Sequence, residues 1–319
     1  MPRYGRPQES PSAPRVAVLI PCYNEETSIG KVVKDFQAAL PGARIYVFDN
    51  NSTDRTAELA RSAGARVTLE MLQGKGNVVR RMFSDVEADV YVLVDGDDTY
   101  EAASAPRMIE LLVSDSLDMV TGTRITEIQA AYRRGHRFGN VMLTGIVAAI
   151  FGNRITDMLS GYRVFSRRFV KSFPALSSGF ETETELTIHA LELKMPLGEL
   201  HTPYKDRMEG SASKLNTYKD GARILATIVQ LVKEEKPLQF FTVAATILFL
   251  VGFGISVPIF IEFHRTHLVP RFPTAILATG IVTLSFLSLV CGLILDSVAR
   301  GRREAKRMVY LSVPAVTSL

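Results

Sequence analysis

Three carboxylates close an apolar run: Val90-Tyr91-Val92-Leu93-Val94 leads into Asp95-Gly96-Asp97-Asp98. A short β-branched run that stops on polar residues reads as a buried parallel strand, and open α/β sheets place their ligands at the carboxyl ends of such strands. Asp95 and Asp97 flank a glycine, so their carboxylates can converge on a hard, oxygen-seeking cation, Mg2+ or Mn2+, which commonly arrives with a diphosphate. Taken alone, the same tripeptide fits an acidic solvated turn equally well.

Two further runs end the same way. Arg15 to Ile20 empties into Pro21-Cys22-Tyr23-Asn24-Glu25-Glu26, and Ile45 to Phe48 into Asp49-Asn50-Asn51-Ser52-Thr53-Asp54. Between them Ile29, Val32, Val33, Phe36 and Leu40 recur at helical spacing, with Thr27 and Ser28 available as caps and Pro41-Gly42 as a stop. A helix from Ala57 to Ala63, a short strand from Arg66 to Leu69, and a loop at Gly74-Lys75-Gly76 ahead of another helix continue the alternation. Asp118 to Gly122 adds a strand that delivers Thr123 and Arg124. Such alternation predicts an α/β fold with βαβ units and a mostly parallel sheet, so the acid-rich loops meet on one rim. The first strand leads into neither Gly-x-Gly-x-x-Gly nor Gly-x-x-x-x-Gly-Lys-Ser/Thr, which excludes a dinucleotide fingerprint and a P-loop. Gly74-Lys75-Gly76 is either a flexible turn with a solvated lysine or, beside the acids, a means of bringing Lys75 to a nucleotide phosphate.

The chain has 319 residues, a net charge of +4 and a pI near 9.0, enough for one full-sized domain and more. Met1 to Pro14 reads as a flexible tail and residues 15–217 as the main domain. Residues 218–237 carry one apolar stripe among Lys219, Arg223, Lys233 and Lys236, a basic amphipathic helix that either lies in a membrane interface or packs on the domain. Val141 to Phe151 is too short to span a bilayer, whereas Leu238–Ile261 and Thr274–Leu295 are each long enough to cross a hydrocarbon core of about 30 Å. The short connector makes them a transmembrane hairpin. Arg300, Arg302, Arg303, Lys306 and Arg307 in the tail 296–319 outweigh Arg265 and Arg271 of the connector, which predicts a cytoplasmic main domain. The basic excess sits beside apolar segments, without zinc-like spacing or interleaved aromatics, so it points to a membrane surface and not to nucleic acid. Cys22 and Cys291 fall in a strand end and a span, an arrangement that does not predict a disulfide. Two spans per chain allow self-association as a homo-oligomer.

A nucleotide site on a membrane-tethered domain suits a water-soluble activated donor meeting a lipid acceptor. A polyprenyl phosphate would carry a charge of about −1.5 to −2, by analogy with phosphate monoesters. It therefore needs cationic clamping more than a strong base, and Arg124, Arg134, Arg137 and Arg163 could supply it.

Val18 to Glu26, Asp49 to Asp54, Gly74-Lys75-Gly76 and Asp95-Gly96-Asp97 together resemble the ordered signatures of the family 2 glycosyltransferases, whose GT-A fold is a Rossmann-like, mostly parallel sheet with flanking helices. Asp157 to Arg163 and Arg207 to Leu215 resemble the polyprenyl-phosphate branch, that of the dolichyl-phosphate mannose synthases and bactoprenol glucosyltransferases. The resemblance implies that Pro21, Tyr23, Glu25, Asp49 and Asn51 hold the nucleoside, that Lys75 lies near the donor, and that Asp95 and Asp97 bind the metal. It also implies that Arg124 meets the acceptor phosphate, with Arg134, Arg137, Asp157, Ser160 and Arg163 beside it, and that Arg207, Ser213 and Lys214 belong to a mobile loop over the donor diphosphate. Asn50 and Asn51 depart from the common acid and glycine, and Asp98 from a common neutral residue. Glu181 and Glu183 read as surface acids complementing a helix dipole.

The implied activity is metal-dependent, inverting transfer of a hexose from a UDP- or GDP-linked sugar to undecaprenyl phosphate or a related lipid, at a bacterial inner membrane, for cell-envelope glycans. Two rivals remain at this level. A processive polysaccharide synthase would usually carry Gln-x-x-Arg-Trp, and this chain has no tryptophan. A non-catalytic membrane partner would keep a degenerate nucleotide-sugar domain.

Overall fold

A computed structural model describes residues 14–125, 145, 155–177, 179, 181–205, 225–226, 229–230 and 232–316. Among the described residues seven strands form one sheet: β1 (Val16–Cys22), β2 (Arg44–Asp49), β3 (Arg66–Leu69), β4 (Val90–Leu93), β5 (Met119–Ile125), β6 (Arg163–Ser166) and β7 (Leu197–Pro203). Their spatial order is β3-β2-β1-β4-β6-β5-β7. The ladders β1/β2, β1/β4, β2/β3 and β5/β7 are parallel, while β6 runs antiparallel to both β4 and β5. The mostly parallel α/β architecture expected from the alternation is thus present. Strands β6 and β7, interrupted by Arg163, Ser166, Gly198, Glu199 and His201, have no counterpart among the strands expected from the sequence.

The period-2 geometry of the strands divides the core. Val18, Ile20 and Val92 point to one face, where α1 (Ile29–Ala39) and α4 (Ala105–Ser114) cover them with Ile29, Val33, Phe36, Met108 and Leu112. Ala17, Leu19, Tyr91 and Leu93 point to the other, under α3 (Lys75–Asp85), α5 (Arg167–Ser172) and α6 (Thr182–Glu192). A short α2 (Thr56–Ser62) links β2 to β3.

All the parallel strands end at one rim, and β6 begins there, because Arg163 pairs with Leu93 and Thr121. The strand order reverses at β1, which has β2 on one side and β4 on the other. A doubly wound sheet opens a crevice at such a switch point.

A second compact unit, residues 226–305, contains α7 (Pro237–Thr266) and most of α8 (Phe272–Ser312). Both helices are long and apolar enough to cross a membrane, and only 11% and 17% of their most apolar windows are buried, which separates them from core helices of a soluble domain. They pack antiparallel through small residues: Ser285 donates to the Ala245 carbonyl at 2.8 Å, and Gly252 and Gly292 lie against Val282 and Phe241. The basic stretch after Leu295 is helical, continuing α8 to Ser312, and from Lys306 onward it belongs with the sheet domain. The segments 1–13, 126–144, 146–154 and 206–224, which take in most of the apolar stretch from Val141 and the start of the basic stretch from Tyr218, lie outside the described residues.

Candidate functional site

The site begins as three loops tied to one another. Beyond β1, Asn24 adopts a left-handed φ of 52°, which asparagine tolerates, and its side-chain carbonyl accepts the Thr53 amide at 2.8 Å. The amides of Asn24 and Glu25 in turn donate to Ser52 and Thr56, so the β1 and β2 loops are latched together. Ser28 occupies the N-cap position of α1 yet makes no side-chain cap bond; its hydroxyl donates instead to the Gly96 carbonyl at 2.7 Å, holding the Asp95 to Asp97 turn. A side chain at Gly96 would strike the Cys22 sulfur, its Cβ falling 2.6 Å away, so only glycine lets these loops meet.

Asn50 organises the next segment. Its amide donates to the carbonyls of Glu70 and Leu72, and its oxygen accepts the Gly74 amide at 2.7 Å. This fixes the start of α3, and Lys75 is its first residue, not part of the flexible turn that the sequence also allowed.

A cavity of about 380 Å3 opens between these loops, bordered by Tyr23, Lys75, Asp95, Asp97, Arg124 and Glu183 among others. Pro21, Glu25 and Asn50 also border it, as do Tyr100, Leu159 and Tyr204. Asp97 is buried, and one of its oxygens accepts both the hydroxyl (2.6 Å) and the amide (3.3 Å) of Thr99. The Lys75 ammonium lies 2.5 Å from both Asp95 and Glu183. Burial alone would lower the lysine's pKa, but the two carboxylates outweigh it and hold the ammonium well above its ordinary range.

Across the cavity, Arg124 forms a two-pronged pair with Asp157, both contacts at 2.7 Å, and its guanidinium lies 5.6 Å from the Tyr204 ring centre. Tyr100 contacts the Tyr204 ring at 5.2 Å and accepts the Gly161 amide at 2.9 Å.

Not every residue singled out in the sequence reaches the cavity. Asp157 works through Arg124. Ser160 donates to the Gly122 carbonyl beneath β5, and Arg163 is completely buried, its guanidinium donating to the Ser160 and Met158 carbonyls and to Thr187. Burial lowers that guanidinium to about 10, still cationic at neutral pH, and its fork is committed to holding the loop before β6. Asp49 and Asn51 do not border the cavity, although their neighbour Asn50 does; one buried oxygen of Asp49 has no hydrogen-bond partner among the described residues. Arg134, Arg137, Arg207, Ser213 and Lys214 lie outside the described residues.

Glu183 corrects the sequence reading of it as a surface acid: it is buried, faces the cavity and is paired to Lys75. Only the presence of a second acid two residues after Glu181 hinted at it. Tyr100 and Tyr204 gave no signal, since ring packing across the rim depends on distant strands.

The donor set fits a hard divalent cation. Asp95 and Asp97 offer oxygens one residue apart on the same cavity wall, and among the described residues no cluster of three or more ligating side chains completes a protein cage. Such a pair suits Mg2+ or Mn2+ sharing its shell with diphosphate oxygens and water.

The sequence profile of Glycosyl transferase family 2 matches residues 17–173. Protein RfbJ of Shigella flexneri is 61% identical over 123 residues, covering 38% of this chain and 95% of that protein. A dolichyl-phosphate hexose transferase of Haloferax volcanii is 31% identical over 221 residues, 69% of this chain and 95% of its own length. Among solved structures, glucosyl-3-phosphoglycerate synthase from Mycobacterium tuberculosis, in complex with Mn2+, UDP and phosphoglyceric acid, superposes with a TM-score of 0.58 at 21% identity, covering 69% of this chain and 78% of that one. Its likeness concerns the fold, which agrees with the mostly parallel sheet and its rim. With a relative this similar matched over nearly its whole length, the chain belongs to the family 2 glycosyltransferases.

Proposed function

We propose that this glycosyltransferase moves a hexose from a UDP- or GDP-linked sugar to a polyprenyl phosphate such as undecaprenyl phosphate, in one displacement that inverts the anomeric centre. The observation that carries the reading is the convergence of Asp95, Asp97, Lys75 and Arg124 on one cavity in a chain that also holds two bilayer-length apolar helices. The name of the Haloferax relative, a dolichyl-phosphate hexose transferase, supports a lipid-phosphate acceptor, and the Mn2+ and UDP bound in the mycobacterial complex support a metal and a nucleotide donor.

Asp97, with Asp95, would hold the Mg2+ or Mn2+, which when bound neutralises the leaving diphosphate. Pro21, Tyr23 and Glu25, which border the cavity, would hold the nucleoside, while Asp49 and Asn51 are assigned to it through the family resemblance. Arg124, oriented by Asp157 and Tyr204, would receive the acceptor phosphate, whose own charge makes it nucleophilic without a strong base. Arg134, Arg137, Arg207, Ser213 and Lys214 are assigned through the family resemblance, as acceptor clamps and a loop over the donor. Residues 15–217 form the catalytic domain in this reading. Helices α7 and α8 anchor it at the cytoplasmic face of a bacterial inner membrane, supplying lipid-linked sugar for envelope glycans.

The test is incubation of the full chain in detergent with labelled nucleotide sugars, Mn2+ or Mg2+, and polyprenyl phosphate. Label should enter the organic phase with at least one common donor, and NMR should show inversion. Absence of extractable label across a full donor panel overturns the proposal, and retention of configuration overturns the single displacement.

A further inference from the structure

Lys75 shares its charge between two acids from different elements. Asp95 comes from the loop after β4 and Glu183 from the first turn of α6, each 2.5 Å from the ammonium. The side chains of Lys75 and Glu183 are 10% and 8% exposed, and all three residues border the cavity. Gly161 leaves room for the Asp95 carboxylate, since a Cβ there would fall 2.3 Å from Oδ2 and 3.1 Å from Oδ1. Lys75 holds Oδ1. This is the same carboxylate that the proposed function gives to a divalent cation. An ammonium 2.5 Å from that oxygen repels a divalent cation arriving on the same carboxylate, so the two compete for its charge.

We infer that Lys75 is a resident counter-ion of Asp95 that a divalent cation displaces on arriving with a nucleoside diphosphate, and that Glu183 is the positioning residue that keeps the displaced ammonium inside the cavity. The inference rests on the metal reading above and adds an order to it. A cation arriving alone must break a buried ion pair without offering the lysine another anion. One arriving with a diphosphate supplies that anion, and Lys75, a point charge on a flexible stem, can turn to it while keeping Glu183. Cation and nucleotide then bind cooperatively, which keeps the site from filling with metal before the donor is present.

Mn2+ titration of the detergent-solubilised full chain, read by electron paramagnetic resonance with and without UDP or GDP, tests this without any turnover. In the wild-type protein the nucleotide should tighten Mn2+ binding by about tenfold, a typical coupling between two sites. Lys75→Met should bind Mn2+ alone about tenfold more tightly than wild type and lose most of the nucleotide effect. Glu183→Gln should shift Mn2+ binding the opposite way, because Asp95 then receives the whole ammonium charge. Lys31→Met is the field control: Lys31 pairs with Asp35 and Asp98 and makes no contact with Asp95, so removing its charge should change Mn2+ affinity by no more than about twofold. Far-UV circular dichroism accompanies each variant, with Lys75→Gln as the substitute if the methionine variant fails to fold. The inference is overturned if the folded Lys75 variant binds Mn2+ alone no more tightly than wild type, or if Lys31→Met matches it. Failure of the metal reading looks different: wild type with nucleotide would show no Mn2+ site that Asp97→Ala removes.

Discussion

An aspartate, an arginine and a tyrosine meet at each end of strand β5, and the two clusters do different things. At the rim end, Arg124 pairs with Asp157 and lies over Tyr204. At the other end, Asp118 pairs with Arg168, whose guanidinium lies 4.9 Å from the Tyr310 ring centre. The far cluster is closed. Asp118 has no exposed surface, and its oxygens accept from Arg168, from the Ser166 hydroxyl at 2.7 Å and from the Tyr310 hydroxyl at 2.7 Å. Tyr310 lies in the last turns of α8, and Lys306 on the same helix pairs with Glu192 at 2.8 Å. The rim cluster borders the cavity through its arginine and ring. An aspartate, an arginine and a tyrosine thus make a structural clamp where the site is sealed and a presented cation where it opens on a cavity.

The most severe test of this contrast is Arg124→Lys, which keeps the charge on Asp157 and removes the fork. Transfer to polyprenyl phosphate should fall by about 100-fold in kcat/KM with the melting temperature nearly unchanged. Equal activity would make the rim cluster structural like the other. Asp118→Asn should do the reverse, lowering stability by about 3 kcal/mol in chemical denaturation by weakening a buried pair, while the folded fraction keeps its kcat/KM.

A pH effect should be confined to the closed side. His189 on α6 is buried beside Phe169 and Phe173, with one ring nitrogen on Ser172; burial first, and then the charge of Lys306, push it down to about 3. The unfolded chain takes up this proton near pH 6.5 and the folded chain only near 3, so the stability is fully present above about 6.5 and is lost as pH falls toward 3. Melting curves should register about 1 kcal/mol of loss by pH 5.5, and His189→Gln should flatten that slope. The smallest expected effect is at the rim: Tyr204→Leu removes the ring under Arg124 and should raise the KM for the lipid phosphate by about fivefold, leaving the donor KM alone. A change in donor KM instead would move Tyr204 to the nucleotide side.

Much of this was legible in the residues. Apolar runs ending on Pro21, Asp49 and Asp95 foretold strands β1, β2 and β4 and a shared rim, because a parallel sheet must return every strand to the same edge. The family resemblance foretold the glycosyltransferase. Strand β6 was hidden because its four residues follow a loop and carry two polar side chains, and its direction depends on the partners it finds in β4 and β5. Arg163 shows the same limit: its identity suits a phosphate clamp, and only its burial reveals that the fork is committed to backbone carbonyls.

What the sequence determined by itself was local: where strands stop on acids, where helices present an apolar stripe, and which two segments are long and apolar enough for a bilayer. These follow from side-chain period and length, which need no partner. Tertiary structure decided which charges meet. Lys75 and Glu183 are more than a hundred positions apart and become partners only when α3 and α6 pack on one face of the sheet. Asp118 and Tyr310 become partners only when the end of α8 reaches β5. An ion pair depends on distance and exclusion of water, and neither is written in the identity of its residues.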